Sequence, residues 1–325
     1  VIAGCLLAGQ SHGRTWYVER DGTGDFTVIQ DAVNAASSGD EIRIGPGQYT
    51  EYTQLSGGRR SYIHNDGTKT LTFVGTSTEE TIIGPVTYTE NFNEWGIGCL
   101  AGNVTITVEN LCFRNINYQG VGGVNREFVV QGCLFAHCYT GAMFSSGASI
   151  ATIVNSRFED GAGIFSSAVI AQVPQVLIER CTFNSYAGGV DVIYNGATDV
   201  VIRNCSFVGG EFGEVGILVT MGSGALIEGC TFQDLSKWGL GYNNAGVIVF
   251  RDNVVESSGG WGCVTVGPAE NVIIENNILS GGQRCFQLRE VSGPHEIHGN
   301  HIFRDESLGG YFVEANSDWV WEPMH

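Results

Sequence analysis

A short pattern recurs nine times between residues 109 and 302, and its spacing constrains the fold more than any other feature of the chain. Each copy holds an aliphatic run, then a Cys, Asn or other ladder residue, and two positions later a Phe or aliphatic residue. Successive copies lie 22 to 25 residues apart, a period typical of solenoid proteins. The ladder residues are Leu111, Cys133, Ser156, Cys181, Cys205, Cys230, Asn253, Asn277 and Asn300.

The interior of each repeat predicts three short strands. In the repeat around Cys205, β-prone runs cover residues 190–194, 200–203 and 206–208. The leucine and asparagine frame of leucine-rich repeats is missing, and no helical periodicity occurs. Three strands and three turns form one rung of a β-helix, with rungs about 4.8 Å apart. We predict an all-β fold, a single-stranded right-handed parallel β-helix of about ten to twelve rungs, over residues 52–325.

Four of the ten cysteines fit this repeat better than they fit a disulfide framework. Cys133, Cys181, Cys205 and Cys230 take the ladder position that asparagines fill later in the chain. We therefore predict small buried core residues there. Cys263 and Cys285 lie one rung apart, and the sequence leaves open whether they pair.

The charge balance excludes several classes of partner. The net charge is −18 and the chain has only two lysines, Lys69 and Lys237, so its surface repels nucleic acid and anionic membranes. Polyanionic substrates are also disfavoured, unless a Ca²⁺ ion bridges the charges; the sequence indicates no other cofactor. The repeats contain no apolar run long enough to span a membrane.

The apolar residues 1–13 predict the remnant of a signal peptide, with Ser11-His12-Gly13 as a small-residue cleavage site. An ordinary first strand is the alternative. A signal peptide would make this an exported, bacterial-type protein, secreted or held at the cell surface. Towards the other end the repeat fades after Asn300 without an evident cap, so either the chain continues or its open end associates with another subunit, building filaments.

Residues 14–51 predict an N-terminal cap of strand, Gly-rich turn, short amphipathic α-helix and strand. Phe26, Ile29, Val33 and Ala36 fall on one face of the predicted helix. Such a helix would cover the open end of the β-helix core. Over residues 16–51 the segment resembles the opening of pectin methylesterases and of many secreted proteins of the pectin-lyase-like superfamily. The resemblance implies the fold more strongly than an activity.

The same resemblance points to one catalytic residue. Residues 190–194, Val-Asp-Val-Ile-Tyr, are similar to the strand motif whose Asp is the nucleophile in pectin methylesterases, so Asp191 is the candidate. The family's second Asp has no equivalent in residues 185–189, and its Gly-Arg-Pro-Trp motif has no counterpart. A nucleophile without these partners is poorly equipped for acyl transfer.

The sequence also lacks the residue sets that other β-helix enzymes need for catalysis. No Asp-Asp pair occurs, and a chain with two lysines suits proton-abstracting lyases poorly. A set of carboxylates on one loop series could hold a general acid/base pair or form a solvated acidic edge: Glu159, Asp160, Glu211, Glu214, Asp234 and Glu256. Two His and Cys groups have weak metal-site spacing, residues 295, 298 and 301 and residues 133, 137 and 138, and we predict no metal site.

Aromatic residues give the better indication of a ligand. Trp238 and Trp261 occupy nearly the same place on consecutive rungs, and Phe165, Tyr186 and Phe212 come from comparable turns. Exposed rings one rung apart would suit sugar faces, whereas rings that pack on one another would cover the side of the β-helix. The predicted carbohydrate-binding residues are Trp238, Trp261, Tyr186 and Tyr194.

Two functions therefore stay open from the sequence. The first is binding or processing of an extracellular polysaccharide that is neutral or weakly charged, without a complete catalytic set. If the chain is an enzyme, a carbohydrate-active hydrolase or esterase is favoured over a polyanion lyase. The second is a non-catalytic surface, adhesion or filament-forming β-helix.

Overall fold

The chain forms three long parallel sheets that enclose one apolar core. The fold is seen in a computed structural model, which describes residues 13–90, 93–99, 102–124, 126–145, 148–163, 166–197, 199–210, 215–222, 224–243, 246–257, 262–281, 284–288, 293–303 and 311–315. Within them lie one α-helix, α1 (Ile29–Ala35), and one 3₁₀ turn (Ser56–Gly58). The strand pairs are parallel, except that Thr53–Gln54 runs antiparallel to Arg60–Asn65.

Sheet A has 12 strands. They are Thr15–Val18, Glu41–Ile44, Leu71–Gly75, Thr105–Glu109, Glu127–Gln131, Ile150–Val154, Gln175–Glu179, Asp199–Arg203, Gly224–Glu228, Val247–Arg251, Asn271–Glu275 and His295–His298. Sheet B has 11 strands. They are Gly47–Tyr49, Thr81–Ile83, Cys112–Arg114, Leu134–Ala136, Arg157–Glu159, Thr182–Asn184, Ser206–Val208, Thr231–Gln233, Val254–Ser257, Ile278–Gly281 and His301–Phe303.

Sheet C has 12 strands. They are Thr53–Gln54, Arg60–Asn65, Glu94–Cys99, Gln119–Gly123, Thr140–Phe144, Ser167–Ala171, Gly188–Ala197, Val215–Gly222, Trp238–Asn243, Gly262–Val266, Arg284–Leu288 and Tyr311–Ala315. Each rung takes one strand from sheet A, one from sheet B and one from sheet C, and each strand pairs in parallel with its equivalent on the next rung. The predicted β-helix of stacked rungs is confirmed.

The turn from sheet A to sheet B explains one recurring residue type. Its first residue has a positive φ on nine rungs, where the sequence places Asn, Asp or Gly with one exception, Arg180. These types tolerate the left-handed region best. The residues are Asn110, Gly132, Asn155, Arg180, Asn204, Gly229, Asp252, Asn276 and Gly299.

The ladder residues point into the core, as predicted. Cys133, Cys181, Cys205 and Cys230 are buried thiols that donate to backbone carbonyls, for example Cys133 Sγ to Gln131 O at 3.4 Å. Burial raises the pKa of Cys133 to about 12, so this thiol stays protonated and unreactive. The Sγ of Cys263 lies 3.5 Å from Gly281 O; the side chain of Cys285 lies outside the described residues.

A column of phenylalanines runs beside this ladder. Successive rings of Phe113, Phe135, Phe158, Phe183, Phe207 and Phe232 stack with centroids 4.7 to 5.2 Å apart and planes within 15°. The spacing matches the separation of paired strands, so each ring contacts the next along the stack. Every ring is almost fully buried.

Glycines in sheet C make room for these rings. Gly96, Gly120, Gly141, Gly189, Gly216 and Gly239 occupy one position on their rungs, and only Ala168 interrupts the run between Gly96 and Gly239. A Cβ atom on Gly216 would lie 2.6 Å from Phe232 Cδ1 and 2.7 Å from Gly239 O. The repeat pattern read from the sequence does not include this glycine position, so the column was not predicted.

Gly216→Ala is therefore expected to lower the free energy of unfolding by about 2 kcal/mol, because the added methyl group overpacks the ring column. Urea denaturation measures this loss. The reverse change in the same column, Ala168→Gly, is the control. It should lower the free energy of unfolding by about 1 kcal/mol or less. Equal stability of Gly216→Ala and wild type would show that the column tolerates a methyl group.

The N-terminal cap contains the predicted strand, short helix and strand, but Phe26 precedes the helix and forms a β-bridge with Val18 instead. Helix α1 buries Ile29, Val33 and the adjoining Ala36 against the first rungs, and Phe26 packs on Trp16 with ring centroids 5.5 Å apart. Asp40 joins the cap together, since its carboxylate accepts hydrogen bonds from Arg14 N, Trp16 Nε1 and Ser37 N. Residues 1–12, most of the predicted signal remnant, lie outside the described residues.

Candidate functional site

The outer face of sheet C carries a carboxyl group in largely apolar surroundings. Alternation along the strand buries Val190 and Val192 in the core and turns Asp191 to the outside. The register places Ile170 beside Asp191 on the preceding rung and Leu218 beside it on the following rung. Asp191 is thus flanked along the stack by two aliphatic side chains.

The carboxyl group of Asp191 is held by one neighbour. Ser167 Oγ donates a hydrogen bond to Asp191 Oδ2 at 2.7 Å. Gly188 leaves room for the carboxyl, since a Cβ atom there would come within 3.1 Å of the same oxygen. Burial raises the pKa of Asp191, and the Ser167 hydrogen bond lowers it in smaller measure. The result is an acid whose protonated form is favoured by its surroundings.

Trp238 lies on the same face, two rungs further along. It follows Gly188 and Val215 in one outward column. Its ring lies beside Gly241, where a Cβ atom would be 3.6 Å from Trp238 Cε3. Two rung spacings separate Asp191 and Trp238, about 10 Å along the stack. Gly241 takes the Asp191 position two rungs later, so the half-buried indole beside it forms one row along the stack with Asp191 and Leu218.

A second buried carboxyl lies near the N-terminal end of sheet C. Glu94 is 2% exposed, and Arg60 Nη1 lies 3.5 Å from its Oε1. Burial raises the pKa of Glu94, and Arg60 offsets part of the shift. The adjacent Trp95 stacks on Tyr118, with ring centroids 6.2 Å apart. Glu94 is four rungs from Asp191, about 19 Å, too far for the roughly 5 to 9.5 Å of a glycosidase carboxylate pair.

A family comparison agrees with this architecture. The model described as "right handed beta helix region" matches residues 86–232 and 215–320, which is most of the chain. The chain belongs to the right-handed β-helix family.

Solved structures similar to this β-helix protein include three carbohydrate-active enzymes. The catalytic unit of a GH87 α-1,3-glucanase from Streptomyces thermodiastaticus is 13% identical over 89% of this chain and 64% of its own, with a TM-score of 0.48. A PL6 family alginate lyase is 11% identical over 93% of this chain and 41% of its own, with a TM-score of 0.44. Carrot pectin methylesterase is 14% identical over 91% of this chain and 90% of its own, with a TM-score of 0.34.

The β-helix protein thus spans less than two thirds of the length of the first two of these structures. No curated protein sequence matches the chain. In the part of the chain that the structure describes, the helices are too short to cross a membrane.

Of the described loop carboxylates, Asp234 and Glu256 lie on neighbouring rungs, where Asp234 N donates to Glu256 O at 3.0 Å, so the acid/base alternative stays open for this pair. Glu159 and Glu256 both lie on sheet B, four rungs and about 19 Å apart. Asp160 and Asp234 occupy equivalent turns three rungs apart, about 14 Å. Glu211 and Glu214 lie outside the described residues.

The predicted aromatic row is only partly visible. Tyr186 is 3% exposed, so its ring belongs to the interior and is not available to a sugar. The strand Gly188–Ala197 includes Tyr194, but its side chain lies outside the described residues, as do Trp261, Phe165 and Phe212. Of the four predicted carbohydrate-binding residues, Trp238 alone is described on an accessible face.

The weak metal-site patterns are separated by the fold. His295 and His298 belong to sheet A and His301 belongs to sheet B. His137 packs edge-on against Tyr88, with ring centroids 4.8 Å apart. Among the described residues, no three His, Cys, Asp or Glu side chains converge on a common point.

Sequence reasoning missed Ser167, Glu94 and Trp95. Ser167 could have been found by aligning the rungs, since it occupies the position of Gly188 one repeat earlier. Glu94 and Trp95 precede the regular repeats, so the periodic pattern gave them no position on the β-helix.

Replacing Asp191 by asparagine should stabilise the protein at pH 7. A pKa that folding raises means that the carboxyl's contribution to stability is present at low pH and is lost as the pH rises through the folded pKa. Asparagine does not ionise, and its amide oxygen still accepts the Ser167 hydrogen bond. The gain should vanish below about pH 4, where aspartate is protonated in both states.

Thermal unfolding of both proteins at pH 4 and pH 7 measures this difference. Asp199→Asn, at an exposed position on sheet A, is the control and should change stability little at either pH. A stability loss for Asp191→Asn at pH 7 would contradict the burial argument.

Proposed function

We propose that the outer face of sheet C binds a neutral or weakly charged polysaccharide outside the cell. Trp238 provides a stacking surface and Asp191 a hydrogen-bonding group. The observation that carries the proposal is their alignment, since a polar group and an aromatic ring lie in one row along the stack, about 10 Å apart.

The chemistry of the row suits a sugar chain. An indole face packs on the apolar C–H face of a pyranose ring, and a carboxyl group exchanges hydrogen bonds with its hydroxyls. The rung repeat is close to the length of one sugar residue. An open face that repeats at this spacing favours a polymer lying along the stack over a small molecule in a closed pocket.

The electrostatics favour a neutral ligand. The chain carries a net charge of −18, which repels polyanions unless cations bridge the charges. Burial raises the pKa of Asp191, and its carboxyl group accepts hydrogen bonds from sugar hydroxyls.

Binding is better supported than hydrolysis. Asp191 has a hydroxyl partner in Ser167, and Glu94 lies about 19 Å away, too far to act with it in a two-carboxylate mechanism. The described loop carboxylates lie in sheet B and the turns that follow it.

The proposal is tested by calorimetric binding to a panel of neutral glucans, xylans and mannans, with polygalacturonate added with and without Ca²⁺. Trp238→Ala should weaken binding to the recognised glycan about tenfold or more, because each stacked sugar loses its ring. Tyr17→Ala removes a ring that is 48% exposed on sheet A and should leave binding unchanged.

Asp191→Asn separates binding from catalysis. Retained binding with loss of product release would establish an enzyme, whereas weakened binding without any product release in wild type would establish a binding protein. If none of the panel binds, or if Tyr17→Ala and Trp238→Ala act alike, the carbohydrate proposal is wrong and a structural β-helix is favoured.

A further inference from the structure

The outer face of sheet A carries three ordered columns of side chains, one for each outward position of its strands. In each five-residue strand the first, third and fifth residues point outward. The third residues form an aliphatic stripe of half-buried side chains over five successive rungs. They are Leu177, Val201, Leu226, Val249 and Ile273.

The fifth residues alternate in charge. They are Glu179, Arg203, Glu228, Arg251 and Glu275, followed on the next rung by His298. Arg203 lies 3.2 Å from Glu179, and Arg251 lies 2.8 Å from Glu228. The arginine side chains remain 40% exposed, so they can contact a second surface as well as their neighbours.

The first residues of two neighbouring strands place an exposed side chain next to a residue without one. Val247 is 39% exposed, which is high for a large apolar side chain on a sheet. Gly224, directly beside it on the preceding rung, has no side chain. The two border a shallow depression of about 250 Å³ that Asp199, Val201, Leu226 and Val249 also line.

We propose that this face binds a second copy of the same chain, in an antiparallel dimer whose two-fold axis runs parallel to the strands, between Gly224–Glu228 and Val247–Arg251. This axis keeps each column opposite its own column and reverses the order of the rungs. Val247 of one copy then enters the hollow at Gly224 of the other, and Leu226 meets Val249.

The same axis makes the charge column complementary to itself. Glu228 lies opposite Arg251 of the second copy, Arg203 opposite its Glu275, and the outermost Glu179 opposite its His298. No like charges meet along the column. An axis parallel to the stack would instead place Val247 opposite Arg251, an apolar side chain against a charge, which is unfavourable.

The size of the face predicts a weak dimer. Six rungs by five residues cover roughly 500 Å² per copy, below the roughly 800 Å² per partner of stable complexes. The net charge of −18 on each chain adds repulsion, which physiological salt screens beyond about 8 Å. The dimer is therefore expected to form with rising concentration in the micromolar range or above, independently of glycan binding.

Sedimentation equilibrium of the full chain in physiological salt tests the proposal. Val247→Glu should raise the dimer dissociation constant about tenfold or more, because it places a negative charge in the hollow beside Asp199. Ile278→Glu is the matched control, since Ile278 is 41% exposed on sheet B, and it should leave the constant unchanged. Thermal unfolding of each variant verifies that the fold is retained.

Charge reversal provides the second measurement. Glu228→Arg and Arg251→Glu each place like charges across the axis twice and should weaken the dimer, whereas the double variant restores every pair and should recover it. A chain that stays monomeric overturns the proposal. Equal effects of Val247→Glu and Ile278→Glu overturn it too, as do assemblies that grow beyond two copies, which would indicate end-to-end association.

Discussion

Phe207→Ala is expected to lower the free energy of unfolding by about 4 kcal/mol. The ring is 1% exposed and lies between Phe183 and Phe232, with centroids 4.7 and 4.8 Å away. Removing it leaves a cavity in the middle of the column, and both neighbouring rings lose a stacking partner. The glycine backbone of sheet C closes the far side, since a Cβ atom on Gly189 would lie 2.8 Å from Phe207 Cδ1.

Equilibrium denaturation in urea, followed by circular dichroism, measures the loss. Phe207→Leu retains most of the volume and should cost about half as much, which separates cavity formation from loss of the aromatic ring. A loss below about 1 kcal/mol for Phe207→Ala would mean that neighbouring rungs collapse into the space, contrary to the tight column described here.

Asn277→Ala is expected to lower the free energy of unfolding by about 3 kcal/mol, because it leaves buried backbone and side-chain groups without hydrogen-bond partners. The Asn277 amide donates to Phe250 O at 2.9 Å and to Asn300 Oδ1 at 2.8 Å. Its oxygen accepts from Asn253 N at 2.9 Å and from Asn253 Nδ2 at 3.1 Å. The residue is fully buried, so water cannot replace these partners.

The chain itself suggests the control for this prediction. Cys230 occupies the same ladder position two rungs earlier and donates its thiol to Glu228 O at 3.4 Å. Asn277→Cys therefore keeps a donor and loses the strong acceptor for Asn253, so its stability, by the same urea assay, should fall between those of wild type and Asn277→Ala. If the Cys and Ala variants are equally stable, the amide ladder contributes through size alone.

Phe207 and Asn277 show which part of the fold could be predicted from the sequence. The ladder and ring positions recur every 22 to 25 residues, and in a β-helix such a recurrence places equivalent side chains one strand spacing apart. The core columns and the three strands per rung followed from that pattern, whereas the capping helix was predicted from the apolar face of residues 26–36. Asp191 was found through a family resemblance, and its outward direction follows from alternation along the strand.

The tertiary structure alone decided which outward residues meet. The turns between sheets vary in length, so a repeat count does not say that Ser167 bonds to Asp191 or that the Trp238 ring lies beside Gly241. The same variation hid the burial of Tyr186, which sequence reasoning assigned to a sugar-binding row.

Sheet A shows the physical reason most clearly. Glu228 and Arg251 are 23 residues apart in sequence, yet their side chains lie 2.8 Å apart and beside an aliphatic stripe. Inward positions are constrained by the need to exclude water from one common core, so their pattern is readable from a single chain. Outward positions have no such common requirement, and their partnerships are set by strand register and side-chain direction, which only the folded chain specifies.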